Sequence, residues 1–228
     1  MKLTIIAATG GVGRQLLRQA LDAGHDVTAV ARNPAKLPTE VLAGGAARAV
    51  AADLASPDPR ILGSAVAGAD AVLSALGPHT NRDAGIAAPG TAAIISAMRT
   101  AGVRRIVAIS ASPPVATTPS PGRPDPPRHD PGDGFIMRHV GVRTAKALFG
   151  KVYHALAAME DLLRDSGLHW TILRPPRLTG KPPTEHHRTA AGHNVRGGRS
   201  IPRADLAHHM LAVLGQPETI GQVIGIAT

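Results

Sequence analysis

The stretch "IIAATGGVGRQLL", residues 5–17, decides how the rest of the chain is read. An apolar run meets small residues and then a helical pattern, with Gly10 and Gly13 three apart. Ala7 stands where a third glycine would complete Gly-x-x-Gly-x-x-Gly. A turn of that kind offers backbone N–H groups and the positive end of a helix to a phosphate. The same letters also suit an apolar strand that merely runs into a helix, since glycine spacing alone is a weak signal. On the phosphate reading, Gly10 can adopt a positive φ and Gly13 lets the helix pack closely on the strand. Position 7 ends a strand and demands no unusual backbone angle, so alanine is tolerable there.

Outward from this turn, apolar runs alternate with helical patterns. Strands are expected at 3–8, 26–32, 47–53, 70–77, 104–110 and 169–175, with "GQVIGIAT" as a last strand. Between them lie an amphipathic helix at 13–24, a short helix after Pro57 and a helix at 90–102. Helical stretches at 135–150 and 152–166 follow, then a helix at 202–215 that starts at Pro202 and stops at Gly215. Short, two-sided apolar strands separated by helices mark a parallel sheet covered on both faces. The fold class is therefore α/β: a Rossmann-like, doubly wound parallel sheet in a single domain over 1–228. Ligands bind at the carboxyl edge of such a sheet. The segment 111–134 is saturated with proline and glycine and is expected to be a lid or substrate loop, or disordered. Residues 176–201 read as a basic loop.

Composition narrows the function. The chain has no cysteine, which excludes disulfides, thiolate catalysis and Cys-ligated metals. No apolar run reaches the roughly 18 residues that span a bilayer, and no export signal is evident, so no membrane association and a cytoplasmic location are expected. The net charge of +9 admits two readings, an anionic partner or the arginine usage of a GC-rich genome. Arg174, Arg177, Lys181, Arg188, Arg196, Arg199 and Arg203 cluster, opposed only by Glu185. The four aromatics, Phe135, Phe149, Tyr153 and Trp170, are not interleaved with that run, so nucleic-acid binding is not expected.

Two further positions test the phosphate turn. An NAD site places Asp or Glu about 20 residues beyond the glycines, where it meets the ribose hydroxyls. Here that place holds Arg32, with Lys36 nearby. A guanidinium pairs bidentately with a 2′-phosphate, which points to NADP(H) as cofactor. Asp53, ending the third strand, can accept from an adenine amino group, or can simply form an Asp turn.

With these residues in place, "IIAATGGVGRQLLRQALDAGHDVTAVARNPAKL", "AADL", "DAVLSALGP", "VRRIVAISAS", "EDLLRDSGLHWTILRPPRLTGKP" and "RADLA" resemble the atypical short-chain dehydrogenase/reductases. The resemblance is to their NAD(P)H-binding, NmrA-like branch, including the biliverdin-IXβ/flavin reductase type. It implies backbone contacts to cofactor phosphates from Thr9, Gly10, Gly11 and Val12, in the turn that Gly13 closes. It implies a 2′-phosphate grip at Arg32 and an adenine contact at Asp53, with Leu54 beside it in the cofactor-binding set. Ala75, Leu76 and Gly77 would pass beside the adenosine ribose. Ser110 would lie near the nicotinamide, and Pro175 and Pro176 would wall its carboxamide side.

One departure from that family stands out. Short-chain reductases carry Tyr-x-x-x-Lys, whose tyrosine is a general acid assisted by the lysine. Four residues after Tyr153 stands Ala157, and Lys146 and Lys151 precede the tyrosine out of step. The departure points away from carbonyl reduction and toward hydride delivery to an electron-poor ring, as in flavin, tetrapyrrole or quinone reduction. The alternative is a non-catalytic NADP(H)-sensing protein. Ser110 and Tyr153 are the catalytic candidates, and Arg177 is the candidate contact to a small, acidic substrate or else a surface arginine. The pairs His186-His187 and His208-His209 lack metal-ligand spacing and read as surface histidines, so no metal is expected.

Overall fold

The computed structural model describes residues 1–228 except 38–44, 46, 79, 121–122, 136 and 185. Glu185, the one acid in the basic run, thus lies outside the described residues. An eight-stranded sheet runs in the order β3-β2-β1-β4-β5-β6-β10-β8. Its members are β1 (Lys2–Ile6), β2 (Asp26–Ala31), β3 (Ala47–Ala51), β4 (Ala71–Ser74), β5 (Arg105–Ile109), β6 (His169–Arg174), β8 (Arg188–Ala191) and β10 (Gln222–Ala227). All pairings are parallel except β8 with β10. This is the expected Rossmann-like sheet, and the parallel strands bring their carboxyl ends to one edge.

Each central strand buries side chains on both faces, as its apolar letters require. Leu3, Ile5 and Leu73 enter a cluster with α1 (Gly11–Asp22) and α5 (Arg203–Ala212). Ile6, Val72 and Ile106 enter a second cluster with α2 (Pro59–Val66), α3 (Ala87–Ala101) and the end of α4 (Val142–Arg164). Leu16, Leu17 and Ala20, at helical spacing, are the buried stripe of α1, which ends before Gly24 at φ +74°. The Gln19 amide donates to the Ala204 carbonyl at 3.0 Å and ties α1 to α5. Leu156, Met159 and Leu163 of α4 are core residues. Among the described residues no helix is long and apolar enough to cross a membrane.

The structure corrects the reading of three segments. The basic run is not one loop: it holds β7 (Arg177–Thr179) and β9 (Ser200–Pro202), a parallel pair, and β8, which closes the sheet edge. The helical stretches at 135–150 and 152–166 are one run. A π turn over Met137–Gly141 passes into α4, and among the described residues the break is a kink at Phe149 (φ −128°, ψ 27°).

The Pro-rich segment is the third. It carries a short 3₁₀ turn at Pro114–Thr117, and its far end is anchored. The buried Asp130 carboxylate accepts from the backbone N–H groups of Gly132 (2.8 Å) and Asn194 (2.9 Å). The Asn194 amide donates to Asp133 at 3.0 Å. A Cβ on Gly132 would fall 1.7 Å from the Asn194 carbonyl oxygen, so only glycine fits. Neither a lid nor a disordered loop anticipates that anchoring.

Candidate functional site

A cavity of about 570 Å³ opens along the carboxyl edge of the sheet, the size range of cofactor clefts. It runs from the glycine turn past the ends of β2 and β3 to β5, β6 and α4. Of the residues singled out in the sequence, Thr9, Gly10, Gly11, Val12, Arg32, Asp53, Leu54, Ala75, Leu76, Gly77, Ser110, Tyr153, Pro175 and Pro176 line it. Gly13 and Arg177 do not.

The turn itself differs from its expected geometry. Gly10 is extended (φ −69°, ψ 167°), while Ala7 is left-handed at φ +58°. Contrary to the expectation from its place at a strand end, Ala7 carries the unusual backbone angle. The cause is the turn closed by the Gly10 N–H on the Ala7 carbonyl at 2.9 Å. Gly13 does what close packing asks: a Cβ there would lie 2.2 Å from the Ala7 carbonyl oxygen. α1 starts from Gly10 with no side-chain cap and no acid in its first turn. Its leading N–H groups are thus left for solvent or a ligand.

At the end of β2, Arg32 and Lys36 are exposed on the cavity rim, with Asn33 between them. Arg14 braces this rim, donating to the Thr9 carbonyl (3.0 Å) and the Lys36 carbonyl (3.1 Å). Asp53 lines the cavity and also accepts from the Ala55 N–H at 3.0 Å, so the Asp turn and a ligand-facing position coexist. Leu54 and Leu76 are backed by α3, which comes close because a Cβ on Gly90 would stand 2.8 Å from Leu76 Cδ2.

The far end of the cavity is built where β5 and β6 pair beyond their strand limits. The Ser110 N–H donates to the Leu173 carbonyl and the Ser112 N–H to the Pro175 carbonyl, each at 2.8 Å. This brings Ser110 beside Pro175. The Ser110 hydroxyl donates to Glu160 Oε1 at 2.6 Å. Glu160 is fully buried and also accepts from Arg174 Nε (2.8 Å), Arg174 Nη2 (2.5 Å) and Arg164 Nη2 (2.7 Å). Burial pushes the Glu160 carboxyl up, but Arg174, Arg164 and Ser110 together outweigh it and hold it below the ordinary value. Tyr153 is half-buried, and burial raises its phenol above the usual value. Lys146 donates instead to the Thr117 carbonyl at 2.5 Å, and burial lowers its ammonium.

Two readings of individual residues need correction. Arg177 is exposed, because alternation along β7 turns Pro176 and Leu178 into the cavity and Arg177 out. His187 and His209 are not both surface residues: their rings meet edge-on, with Nε2 to Nδ1 at 3.1 Å. Burial, aided by His187 and His208, lowers His209 to about 4. Among the described residues no three His, Asp or Glu converge in a metal-holding group. Sequence reasoning missed Arg203, Phe149 and Leu156 as lining residues and Glu160 behind Ser110. For Arg203 the one available signal was "RADLA".

Comparison with known proteins agrees with this geometry. A family model described as NAD(P)H-binding matches residues 7–217. Solved structures with the same fold include an oxidoreductase from Lactococcus lactis, with TM-score 0.78 and 20% identity over 100% of this chain and 91% of that one. A wide-type short-chain dehydrogenase/reductase from Veillonella parvula, solved in complex with NADP, gives TM-score 0.78 and 18% identity over 100% and 94%. ChuY, an anaerobillin reductase from Escherichia coli O157:H7, gives 0.74 and 22% over 100% and 97%. With a glycine turn, a cleft at the sheet edge and a family match over nearly its whole length, the chain belongs to the NAD(P)H-binding family.

Proposed function

We propose that the protein is an NADPH-dependent oxidoreductase that delivers hydride to a small, flat, conjugated acceptor such as a flavin, a tetrapyrrole or a quinone. The observation that carries this reading is the contrast between the two ends of the cavity. One end has groups that suit a dinucleotide: the uncapped start of α1, the turn that Gly13 lets pack closely on β1, and Asp53 with Leu54. Arg32 and Lys36, with no carboxylate at the end of β2, favour the 2′-phosphate of NADPH over the free hydroxyl of NADH. Among the described residues, the other end has no assembled proton donor.

When bound, NADPH supplies a hydride, leaving NADP⁺, and a proton from water completes reduction of the acceptor. The chain's own residues hold and shape the site. Pro175 and Pro176 form a rigid wall; Ile109, Ala111, Phe149, Val152 and Leu156 give an apolar bed for a ring. Ser110 has its hydroxyl proton engaged by Glu160, so toward the cavity it acts as an acceptor. Tyr153, without a neighbouring lysine, stays protonated and offers at most a weak donor. An acceptor ring that stabilises added charge itself, and takes its proton from solvent, fits these walls. The anaerobillin reductase among the neighbours is in keeping with a ring-type acceptor.

The same missing proton donor favours a second reading, a non-catalytic NADP(H)-sensing protein. The test has two steps. Thermal-shift titration should show stronger stabilisation by NADPH than by NADH, and equal stabilisation would remove the case for Arg32. Purified protein should then oxidise NADPH with a flavin, tetrapyrrole or quinone and not with simple carbonyls. Oxidation with none of them would overturn the enzymatic reading in favour of sensing.

A further inference from the structure

Gly11 is not required by the glycine turn. Gly10 and Gly13 occupy the spaced positions, and position 11 lies between them in helical conformation. Its backbone φ is not positive, so no conformational demand selects glycine there. What a side chain at this position would meet is a neighbour from the far end of the chain. A Cβ on Gly11 would stand 2.6 Å from Arg203 Nε and 2.7 Å from Arg203 Cδ. Arg203 is the first residue of α5, and its side chain lies directly over the first turn of α1.

Arg203 is half-buried and lines the cavity beside Thr9, Gly10, Gly11 and Val12. Among the described residues its guanidinium has no carboxylate partner and no hydrogen-bond acceptor. Two other arginines of low exposure are engaged: Arg174 is paired with Glu160, and Arg105 donates to the His169 and Val213 carbonyls and to Thr171 and Thr219. Arg138, whose Nε is also unpartnered, reaches the Asp133 carbonyl at 3.5 Å and does not line the cavity. Asp205, the acid nearest in sequence, accepts from Thr184 instead. A planar cation with unused donors, set against uncapped helix N–H groups, matches the oxygens of a diphosphate. The negative charge it needs is the one a dinucleotide brings.

We propose that Arg203 is a diphosphate-binding residue of the cofactor site, and that Gly11 is glycine in order to leave its side chain room. The assignment rests on the NAD(P)H-binding reading and adds to it a contact from α5. It separates two cationic subsites: Arg32 at the 2′-phosphate and Arg203 at the bridge between the nucleosides.

Competition binding against NADPH, with ADP and adenosine 2′-monophosphate as probes, tells the two apart. Arg203→Met should weaken NADPH, NADH and ADP alike, by about 10- to 100-fold, the worth of a charge-assisted pair. It should leave adenosine 2′-monophosphate within about threefold. Arg32→Met should do the reverse, weakening adenosine 2′-monophosphate and NADPH while sparing ADP and NADH.

Gly11→Ala supplies the second variant. Alanine is the better helix former, and the atom it strikes belongs to a flexible side chain. Melting temperature should therefore hold or rise while ADP and NADPH affinity falls. Combining it with Arg203→Met should cost little more than Arg203→Met alone. The assignment is overturned if Arg203→Met leaves ADP and NADH affinity within about twofold, or weakens adenosine 2′-monophosphate as much as ADP. A wild-type chain that binds none of these nucleotides overturns the cofactor reading itself, and this assignment with it.

Discussion

Replacing Glu160 by glutamine changes one atom and should destabilise the fold severely. The carboxylate is fully buried and accepts four hydrogen bonds, from Ser110, twice from Arg174 and from Arg164. Arg174 is itself only 7% exposed. In Glu160→Gln one accepting oxygen becomes an amide nitrogen, which faces guanidinium or hydroxyl donors, and the Arg174 charge is left buried without a counter-charge. Breaking one partner of a buried pair costs about 3–5 kcal/mol. For a chain of this size each kcal/mol lowers Tm by about 2–4 °C, so the drop should be about 6–20 °C at pH 7. Calorimetry or circular dichroism against temperature measures it. The carboxyl is held below its ordinary value in the fold, so its stabilisation is present above the unfolded carboxylate pKa. That stabilisation is lost as pH falls through the folded pKa, and the gap between wild type and variant should narrow in acid. Glu160→Leu with Arg174→Met should recover most of the loss, since apolar replacement of a whole buried pair is often neutral. A Glu160→Gln protein within about 1 kcal/mol of wild type at pH 7, or a gap unchanged by acid, would refute the reasoning.

The left-handed angle at Ala7 costs about 1–2 kcal/mol, and glycine gives back about 0.5–1 in unfolded-chain entropy. Ala7→Gly should therefore raise Tm by about 1–4 °C, and a lower melting point would show that the angle is not strained. His209 is neutral in the fold down to about 4, whereas its unfolded value is ordinary. Stability should thus fall between about pH 6.5 and 4, by on the order of 3 kcal/mol, as the unfolded state takes up the proton. Urea melts of His209→Gln should have a flatter slope over that window, and an unchanged slope would assign the acid sensitivity elsewhere. Tyr153→Phe should lower kcat with a ring acceptor by less than about tenfold, whereas a true general acid is worth about 100-fold or more.

The sheet was legible because each central strand is a short apolar run, buried on both faces, with helical spacing between. β7, β8 and β9 were not, since each is only three or four residues long, Arg-Leu-Thr, Arg-Thr-Ala-Ala and Ser-Ile-Pro, too short for an apolar run or an alternation to show. Their strand character comes from pairing with each other and with β10, which no local pattern announces. In the turn, the letters give the glycines but not which residue takes the left-handed angle. Glycine tolerates that angle best, yet Ala7 carries it and Gly10 is extended. Alternation would have placed Arg177 outside the cavity once β7 was known. Glu160 and Arg203 were hidden for the same reason as the short strands. The partners that define their roles lie 50 residues away at Ser110 and on the opposite side of the chain at Gly11.

The anchor at Asp130 and Asn194 bears on how this chain orders a long stretch that has almost no backbone ladder of its own. Eight prolines fall between positions 113 and 131. Each has its φ fixed before folding begins, so the unfolded segment samples far fewer shapes than a glycine-serine stretch of equal length. Part of the entropy that would oppose ordering is already absent. Three hydrogen bonds at its far end, with Lys146 on the Thr117 carbonyl, Arg123 on Asp161 and Val115 buried against α4, can then hold the described residues in place without a strand or long helix. Richness in proline thus lets a handful of side-chain ties take the place of a backbone ladder.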